Sequence, residues 1–367
     1  MVQTGLVVVH VPNERYGRAH EQVTRTEVAR RLAGLKDFGF AGQFEPSRSY
    51  PGPVYFVPSD TLVEHEAGAL GIENEHDLFG GVVPYAFVAT KAITHPLVDP
   101  GAAAPPGWSS SLAKRLEGSV LSGFSAFSLD DARRAGVRLL KRGAARLKPV
   151  RETGGLGQVV VGDVAALERT LAAFDPAEVA RDGVVLEENL SEVTTFSVGQ
   201  VGVADLVATY YGTQRLTPDH SGAAVYGGSD LVIARGGFDV LLALDLPPAA
   251  RRAIGQARAY DTAAWSAFPG MILSRRNYDV AQGLDARRQP RSGVLEQSWR
   301  MGGASGAEIA ALETFRADCA LPAVRASTVE IYGDSDPPPH ATVYFRGIDD
   351  EVGLMTKYAV VEPYDDP

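Results

Sequence analysis

Residues 5–11, GLVVVHV, are apolar almost without a break, and read as a buried strand. From His20 to Leu35 the apolar positions Val23, Val28, Leu32 and Leu35 follow helical spacing. PVYFVP at 53–58 predicts a second short strand, and SDTLVEHEAGAL predicts a helix with Ser59 or Asp60 as its N-cap. Strand, helix, strand, helix is an α/β alternation. VDPGAAAPPGW at 98–108 has the composition of a linker and marks a first boundary.

The next region carries stronger signals. SLDDARRAGVRLLKRG has Ser128 as cap, Asp131 three residues on and Gly143 past the last turn, so it predicts one amphipathic helix. AARLKPV and QVVVG read as strands joined by RETGGLG, a hairpin. DVAALERTLAAF is a helix capped by Asp163, and GVVLEENL at 183–190 is a buried strand ending in acidic and polar residues. Strands are predicted again at 195–203 and 206–213. Beyond Tyr210 comes a helix or strand, a turn at Pro247–Pro248 and a long helix. Two strands follow, GMILSRRNYDVAQG and SGVLEQSWR, and then a glycine-rich turn entering a helix, MGGASGAEIAALETF. No internal repeat is visible.

Composition narrows the function classes. The chain has 367 residues, 45% of them hydrophobic, enough for several packed units. A net charge of −10 argues against nucleic acid as partner, since that binding needs a basic footprint. No apolar run approaches the roughly 18 residues of a membrane span, and the opening residues lack the basic start of a signal peptide. Cys319 is the only cysteine, so an internal disulfide and a cysteine-built zinc site are excluded. The seven histidines lack metal-ligand spacing, and EHE at 64–66 lacks the second histidine of a zinc protease helix. The expectation is a cytoplasmic protein acting on small molecules; the pattern neither requires nor excludes a homodimer.

Two stretches could carry chemistry. RLKPVRETGGLGQVVV sets Lys148 before Gly154, Gly155 and Gly157. A fixed cation with closely approaching backbone N–H groups suits a polyphosphate. The glycines link two strands, however, so neither the P-loop nor the dinucleotide fingerprint is present, and a plain glycine hairpin remains open. In the late strand pair, Asn277 and Asp279 share one face, as do Glu296, Ser298 and Arg300. An antiparallel hairpin turning between Arg287 and Arg288 would set Asp279 opposite Glu296 and Asn277 opposite Ser298. Two carboxylates side by side repel, so a cation between them is expected, and oxygen ligands of this kind suit Mg²⁺. A solvent-facing hairpin with Glu296 paired to an arginine is the plainer alternative. Gly303 and Ser305 open a helix whose N-terminus can meet an anion. Tyr211, Gln214 and Arg215 could line a polar substrate pocket. Arg275 and Arg276 cannot face the same side of a strand, so one of them could reach an anion. Arg287–Arg291 read as a solvated turn. Lys91 and His95, in the apolar stretch FGGVVPYAFVATKAITHPL, read as packing between subdomains.

In this order the pieces resemble the ATP-grasp superfamily, in its carboxylate–amine ligase and biotin carboxylase-like branch, over about residues 108–305. The resemblance implies an α/β (α+β) fold in which two α+β lobes clamp ATP, preceded by a small Rossmann-like domain. Expected divisions are 1–105, 106–190 as the small lobe with the glycine loop, and 191–367 as the large lobe. Lys114 and Lys148 match the family's two nucleotide-contacting lysines, ETGGLGQ its closing loop, and Glu187, Glu188 and Leu190 its nucleotide-binding hinge. Asp279 and Glu296 take the magnesium positions, with Ser298 where most relatives have asparagine and Asn277 as a compensating ligand. Arg300 takes the position facing the reacting phosphate or carboxylate. The hinge glutamate that usually holds the ribose has no clear match; Thr194, Thr195 or Glu192 falls near its place. The whole chain also resembles a bacterial family of unknown function built on this fold, through DLFGGVVPYAFVATKAITHPL, SRRNYDVAQG and VLEQSWRMGGASGAE. The implied activity is an ATP- and Mg²⁺-dependent ligase that forms an acyl phosphate. A nucleotide-binding module without ligation, or a small-molecule phosphotransferase, is the alternative.

Overall fold

The structure, a computed structural model, describes residues 5–12, 19–151 and 157–364. Four sheets organise these residues. The first is parallel, with Leu6–His10 between Gly39–Gln43 and Val54–Pro58. The helix Ala19–Lys36 covers it through Val28, Leu32 and Leu35. The segment after Val54–Pro58 departs from expectation. Its helix begins only at Glu64, after a short strand Leu62–Val63, and the Glu66 carboxylate accepts from the Val63 N–H at 2.9 Å. Neither Ser59 nor Asp60 caps it. Gly81–Val83 pairs parallel with Leu62–Val63 and antiparallel with Ile272–Leu273, which stitches a late segment of the chain to an early one.

The third sheet has the order Gly123–Ala126, Val184–Glu188, Ala145–Pro149, Val159–Val161, and is antiparallel. Two of its helices start at the caps the sequence signals, and a third, Pro176–Asp182, was not anticipated. Ser128 Oγ accepts from the Asp131 N–H at 3.1 Å, and Asp163 Oδ1 accepts from the Ala166 N–H at 2.7 Å. The helices Leu129–Leu140 and Val164–Leu171 bury Ala132, Ala135, Leu139, Leu167 and Leu171 against this sheet.

The fourth sheet is antiparallel and eight-stranded, with Pro290–Ser298 on one edge beside Arg275–Leu284, then Ser191–Val203 and Leu206–Pro218. Alternation along these strands gives it two different faces. Val198, Tyr278 and Val280 pack against the helix Pro248–Ala267. Tyr210 and Ile233 face the other way, toward Ala307, Ala311 and Phe315 of the helix Ser305–Ala317. That second face also carries Asn277 and Asp279. The short 3-10 turns Ala86–Ala89 and Lys91–Thr94 run beside the edge strand: Gln297 donates to the carbonyls of Val88 (2.9 Å) and Thr90 (2.7 Å). The backbone edge of Pro290–Ser298 is met elsewhere, at Ser119–Val120, where the Ser119 carbonyl accepts from the Val294 N–H at 2.8 Å.

Candidate active site

The late hairpin sets Asp279 opposite Glu296 and Asn277 opposite Ser298, the anticipated pairing, by a different route. The turn centres on Arg287, with Leu284 facing Pro290 and Val280 facing Val294. A bulge at Leu295 then shifts the register by one, which restores the two acidic positions to opposition.

Asp279 lies in a polar lining. The Ser197 hydroxyl is 3.0 Å from Asn277 Oδ1 and 3.3 Å from Asp279 Oδ1, and Asn277 Nδ2 donates to Asp279 at 3.1 Å. Gln214 is a further donor to Asp279. Burial first, and the neighbouring Glu296 charge second, push the Asp279 carboxyl up to about 6 against the pull of these neutral donors. Behind this lining the Tyr210 hydroxyl sits 2.9 Å from Asn277 Oδ1 and 2.5 Å from Glu308 Oε1. It reaches Asn277 across the intervening strand because position 199 is glycine: a Cβ there would fall 2.3 Å from Tyr210 Oη. Arg275 closes the network. Its Nη2 and Nε donate to Glu308 at 2.8 and 3.1 Å, and Nη1 donates to the carbonyls of Ser298, at 3.2 Å, and Arg300. Both members of this ion pair are fully buried, so each is satisfied by the other and by backbone.

The cation beside Glu296 is a lysine. Lys91 Nζ lies 2.6 Å from Glu296 Oε2, and its side chain is only 4% exposed. Its backbone is pinned from several sides, by Gln297, by the Thr90 hydroxyl accepting from the Ala92 N–H at 3.2 Å, and by Ser125 Oγ donating to the Ala92 carbonyl at 2.5 Å.

Four residues further on, His95 Nε2 donates to Glu187 Oε2 at 3.2 Å, while Lys148 Nζ pairs with Glu187 Oε1. All three side chains are buried, and His95 Nδ1 has no partner. Gly123 makes room for the ring, since a Cβ there would lie 2.8 Å from it. Burial pushes Glu187 upward, but Lys148 and then His95 overcome it and hold the carboxyl down at about 2. Lys91 and His95 had been read as packing. The signal that could have found them is a lysine and a histidine inside an apolar run, residue types that are buried only when partnered.

Lys114 is exposed at the end of the helix Ser110–Arg115. Gly154 and Gly155 lie outside the described residues; Gly157, at φ +67°, is exposed. Glu188 accepts from the Ser122 N–H at 2.9 Å and pairs with Arg291 at 3.1 Å, which ties the Arg287–Arg291 turn to the end of the strand Val184–Glu188. Arg287 and Arg291 also border a cavity of about 310 Å³ with Ser122, Arg142 and Asn189. Leu190 packs with Leu121, Ala281 and Leu295. Glu192, at φ +53°, pairs with Arg288, and Thr194 is exposed beside it. Of the three pocket candidates only Gln214 shares the Asp279 face. Tyr211 packs on the opposite side, and Arg215 is held by Asp230 (2.9 Å) and the Thr328 carbonyl (2.8 Å). Arg276 faces away from Arg275, toward Asp261 at 3.6 Å and the Trp265 ring. Arg300 lies 3.8 Å from Asp60, at the end of the first sheet, and donates to the Met301 carbonyl at 2.9 Å. Gly303 lies against Tyr226, and the buried Ser305 hydroxyl accepts from the Gly302 N–H at 3.1 Å. Among the described residues no three His, Cys, Asp or Glu side chains converge as a metal site, and no helix is long and apolar enough to cross a membrane.

Solved structures share this arrangement of sheets. The biotin carboxylase–β,γ-ATP complex from Campylobacter jejuni superposes with a TM-score of 0.50 at 11% identity, over 97% of this chain and 87% of that one. N5-carboxyaminoimidazole synthase from Aspergillus clavatus, in complex with ADP and 5-aminoimidazole ribonucleotide, gives 0.49 at 14% identity, over 99% and 95%. Phosphoribosylamine–glycine ligase from Thermotoga maritima gives 0.49 at 14%, over 98% and 92%. The chain has the ATP-grasp fold; at such identities the likeness extends to the fold alone. It belongs to the family described as "Protein of unknown function (DUF3182)", whose model matches residues 8–359. No curated protein matches it.

Proposed function

We propose that the protein is an ATP- and Mg²⁺-dependent ligase, which activates a small carboxylate as an acyl phosphate for attack by an amine or another nucleophile. The observation that carries this reading is the bulged strand pair, which sets Asp279 and Glu296 opposite one another on one face of the large sheet of an ATP-grasp fold. The donor set fits a hard divalent ion. A half-buried carboxylate beside a second one is costly, and a cation at Asp279 would relieve that cost. Asp279, one oxygen of Glu296 and the Ser298 hydroxyl would hold it, leaving the other positions to phosphate and water. When bound, the ion neutralises phosphate charge during transfer.

The chain's own groups would do the rest. Lys148, drawn from Glu187 toward the nucleotide, and Lys114 would meet the phosphates, while Glu187, Glu188 and Leu190 border the base. Arg300, beside Asp60 at the edge of the first sheet, would orient the reacting carboxylate or phosphate. The loop containing Gly154, Gly155 and Gly157 would exclude water from an acyl phosphate that hydrolyses easily. In this reading residues 1–105, 106–190 and 191–367 act as three units, the last two closing on the nucleotide. Gln214, on the Asp279 face, is the pocket residue best placed to meet substrate.

Thermal unfolding with and without Mg·ATP is the first test. Ligand at about 100 times its Kd adds roughly 2.7 kcal/mol of stability. A magnesium-dependent rise in Tm that Lys148→Ala removes supports the reading, and no rise at high ATP refutes it. A nucleotide-binding module without ligation is the second reading, favoured by Ser298 and by the lysine on Glu296. ADP release across a panel of carboxylates and amines separates the two.

A further inference from the structure

The acidic pair already holds a cation, and that cation comes from outside the two strands. Lys91 reaches Glu296 from the short turn beside the edge strand of the large sheet, with Nζ 2.6 Å from Oε2. Its side chain is almost fully buried, and the turn is fixed to Gln297 and Ser125 by hydrogen bonds on both sides. The ammonium therefore sits at the end of a buried side chain whose turn is tied to two sheets.

The oxygen count at the pair follows from this. A two-metal phosphoryl-transfer site sets its ions about 3.5–4 Å apart, clamping the attacking and leaving oxygens. Each Mg²⁺ needs near-octahedral oxygen coordination at about 2.0–2.1 Å. Here one oxygen of Glu296 is taken by Lys91. The Asn277 carbonyl is turned to Ser197, at 3.0 Å, and to Tyr210, at 2.9 Å, and the amide offers Asp279 an N–H instead. Position 298 supplies a hydroxyl, a weaker and shorter ligand than an amide. What remains is the Asp279 carboxylate, one Glu296 oxygen and one hydroxyl. That set serves one hard ion together with phosphate and water, and leaves Glu296 unable to bridge two.

We infer that Lys91 is a resident cation standing in for a second metal, so that the nucleotide is held with one divalent ion and one ammonium. The inference rests on the ATP-dependent reading above, and extends it to a residue of the N-terminal region that neither lobe supplies.

The test counts metal rather than turnover. Full-length protein with a saturating non-hydrolysable ATP analogue is titrated with Mn²⁺, and free Mn²⁺ is followed by its paramagnetic resonance signal. Binding of the labelled analogue is measured separately by equilibrium dialysis. The wild type is expected to take up one Mn²⁺ per chain, and Lys91→Met two. Lys91→Gln serves as a second uncharged variant, with circular dichroism to check folding, and the wild-type count depends on neither. Two ions in the wild type overturn the inference, as does a count that stays at one in both folded variants. Failure of the wild type to bind the analogue at all overturns the ATP-dependent reading and this inference with it, and dialysis distinguishes that outcome from a wrong metal count.

Discussion

Two carboxylates in this molecule, Glu187 buried and Asp279 half-buried, are oppositely disposed. Glu187, on the strand Val184–Glu188, has a lysine and a histidine against it and is held down at about 2. Asp279, on the large sheet, has another carboxylate across the strand and only neutral donors around it, and is pushed up to about 6. Burial acts on both in the same direction. Neighbours decide the sign. Glu187 is a completed ion pair, whereas Asp279 carries an electrostatic cost that the fold tolerates and that a ligand can relieve. Unrelieved costs of this kind concentrate at sites of chemistry.

Removing the partner from the satisfied acid should have the largest effect. Lys148→Ala leaves Glu187 buried with His95 alone, and urea denaturation should show a loss of about 3–5 kcal/mol. A loss under 1 kcal/mol would mean that Lys148 contributes little to the pair in solution. Asp279→Asn should act the other way. It removes the repulsion with Glu296 and should stabilise the ligand-free protein by about 1–3 kcal/mol at neutral pH, while abolishing any Mg²⁺-dependent rise in Tm. If it destabilises instead, Asp279 is not under the strain inferred for it.

The two acids also separate by pH. Glu187 has its folded value below the ordinary 4.5, so its contribution is complete above about pH 4.5 and drains away as pH falls toward 2. Asp279 has its folded value above the ordinary 3.8, so its penalty is absent below that and complete above about pH 6. The stability gain of Asp279→Asn should therefore vanish in denaturation curves taken near pH 4 and grow between pH 4 and 6. His95→Gln should cost less than Lys148→Ala, about 1–2 kcal/mol, because it removes one hydrogen bond and leaves the lysine in place. Arg291→Ala, which breaks a half-exposed pair with Glu188, should change stability by no more than about 0.5 kcal/mol.

The sequence made the Asp279 side of this comparison legible and left most of the Glu187 side obscure. Strand periodicity and a turn of polar residues were enough to put Asp279 opposite Glu296. The assumed turn was half a residue out, and the bulge at Leu295 made up the difference; nothing in VLEQS announces a bulge. The capped helices at Ser128 and Asp163 were equally readable, because a cap is a local event. Lys148 stood out by its place before the glycines, whereas Glu187 could be proposed only by resemblance. His95, 92 residues from Glu187, and Lys91 were invisible as partners, since periodicity carries no information about which distant charge an isolated polar residue will meet. The Ser59 or Asp60 cap failed because a short strand, Leu62–Val63, captured the chain first.

The short turns between Ala86 and Thr94 also bear on how this protein can be divided. They lie along the edge of the large sheet, bring Lys91 to Glu296 and lead directly to His95 on Glu187. A chain begun at residue 106 would retain the four-stranded and eight-stranded sheets, yet leave Glu296 without Lys91 and Glu187 without His95. Such a fragment should be less stable than the whole chain, so the N-terminal region is better regarded as a keystone between the two sheets than as a module appended to them.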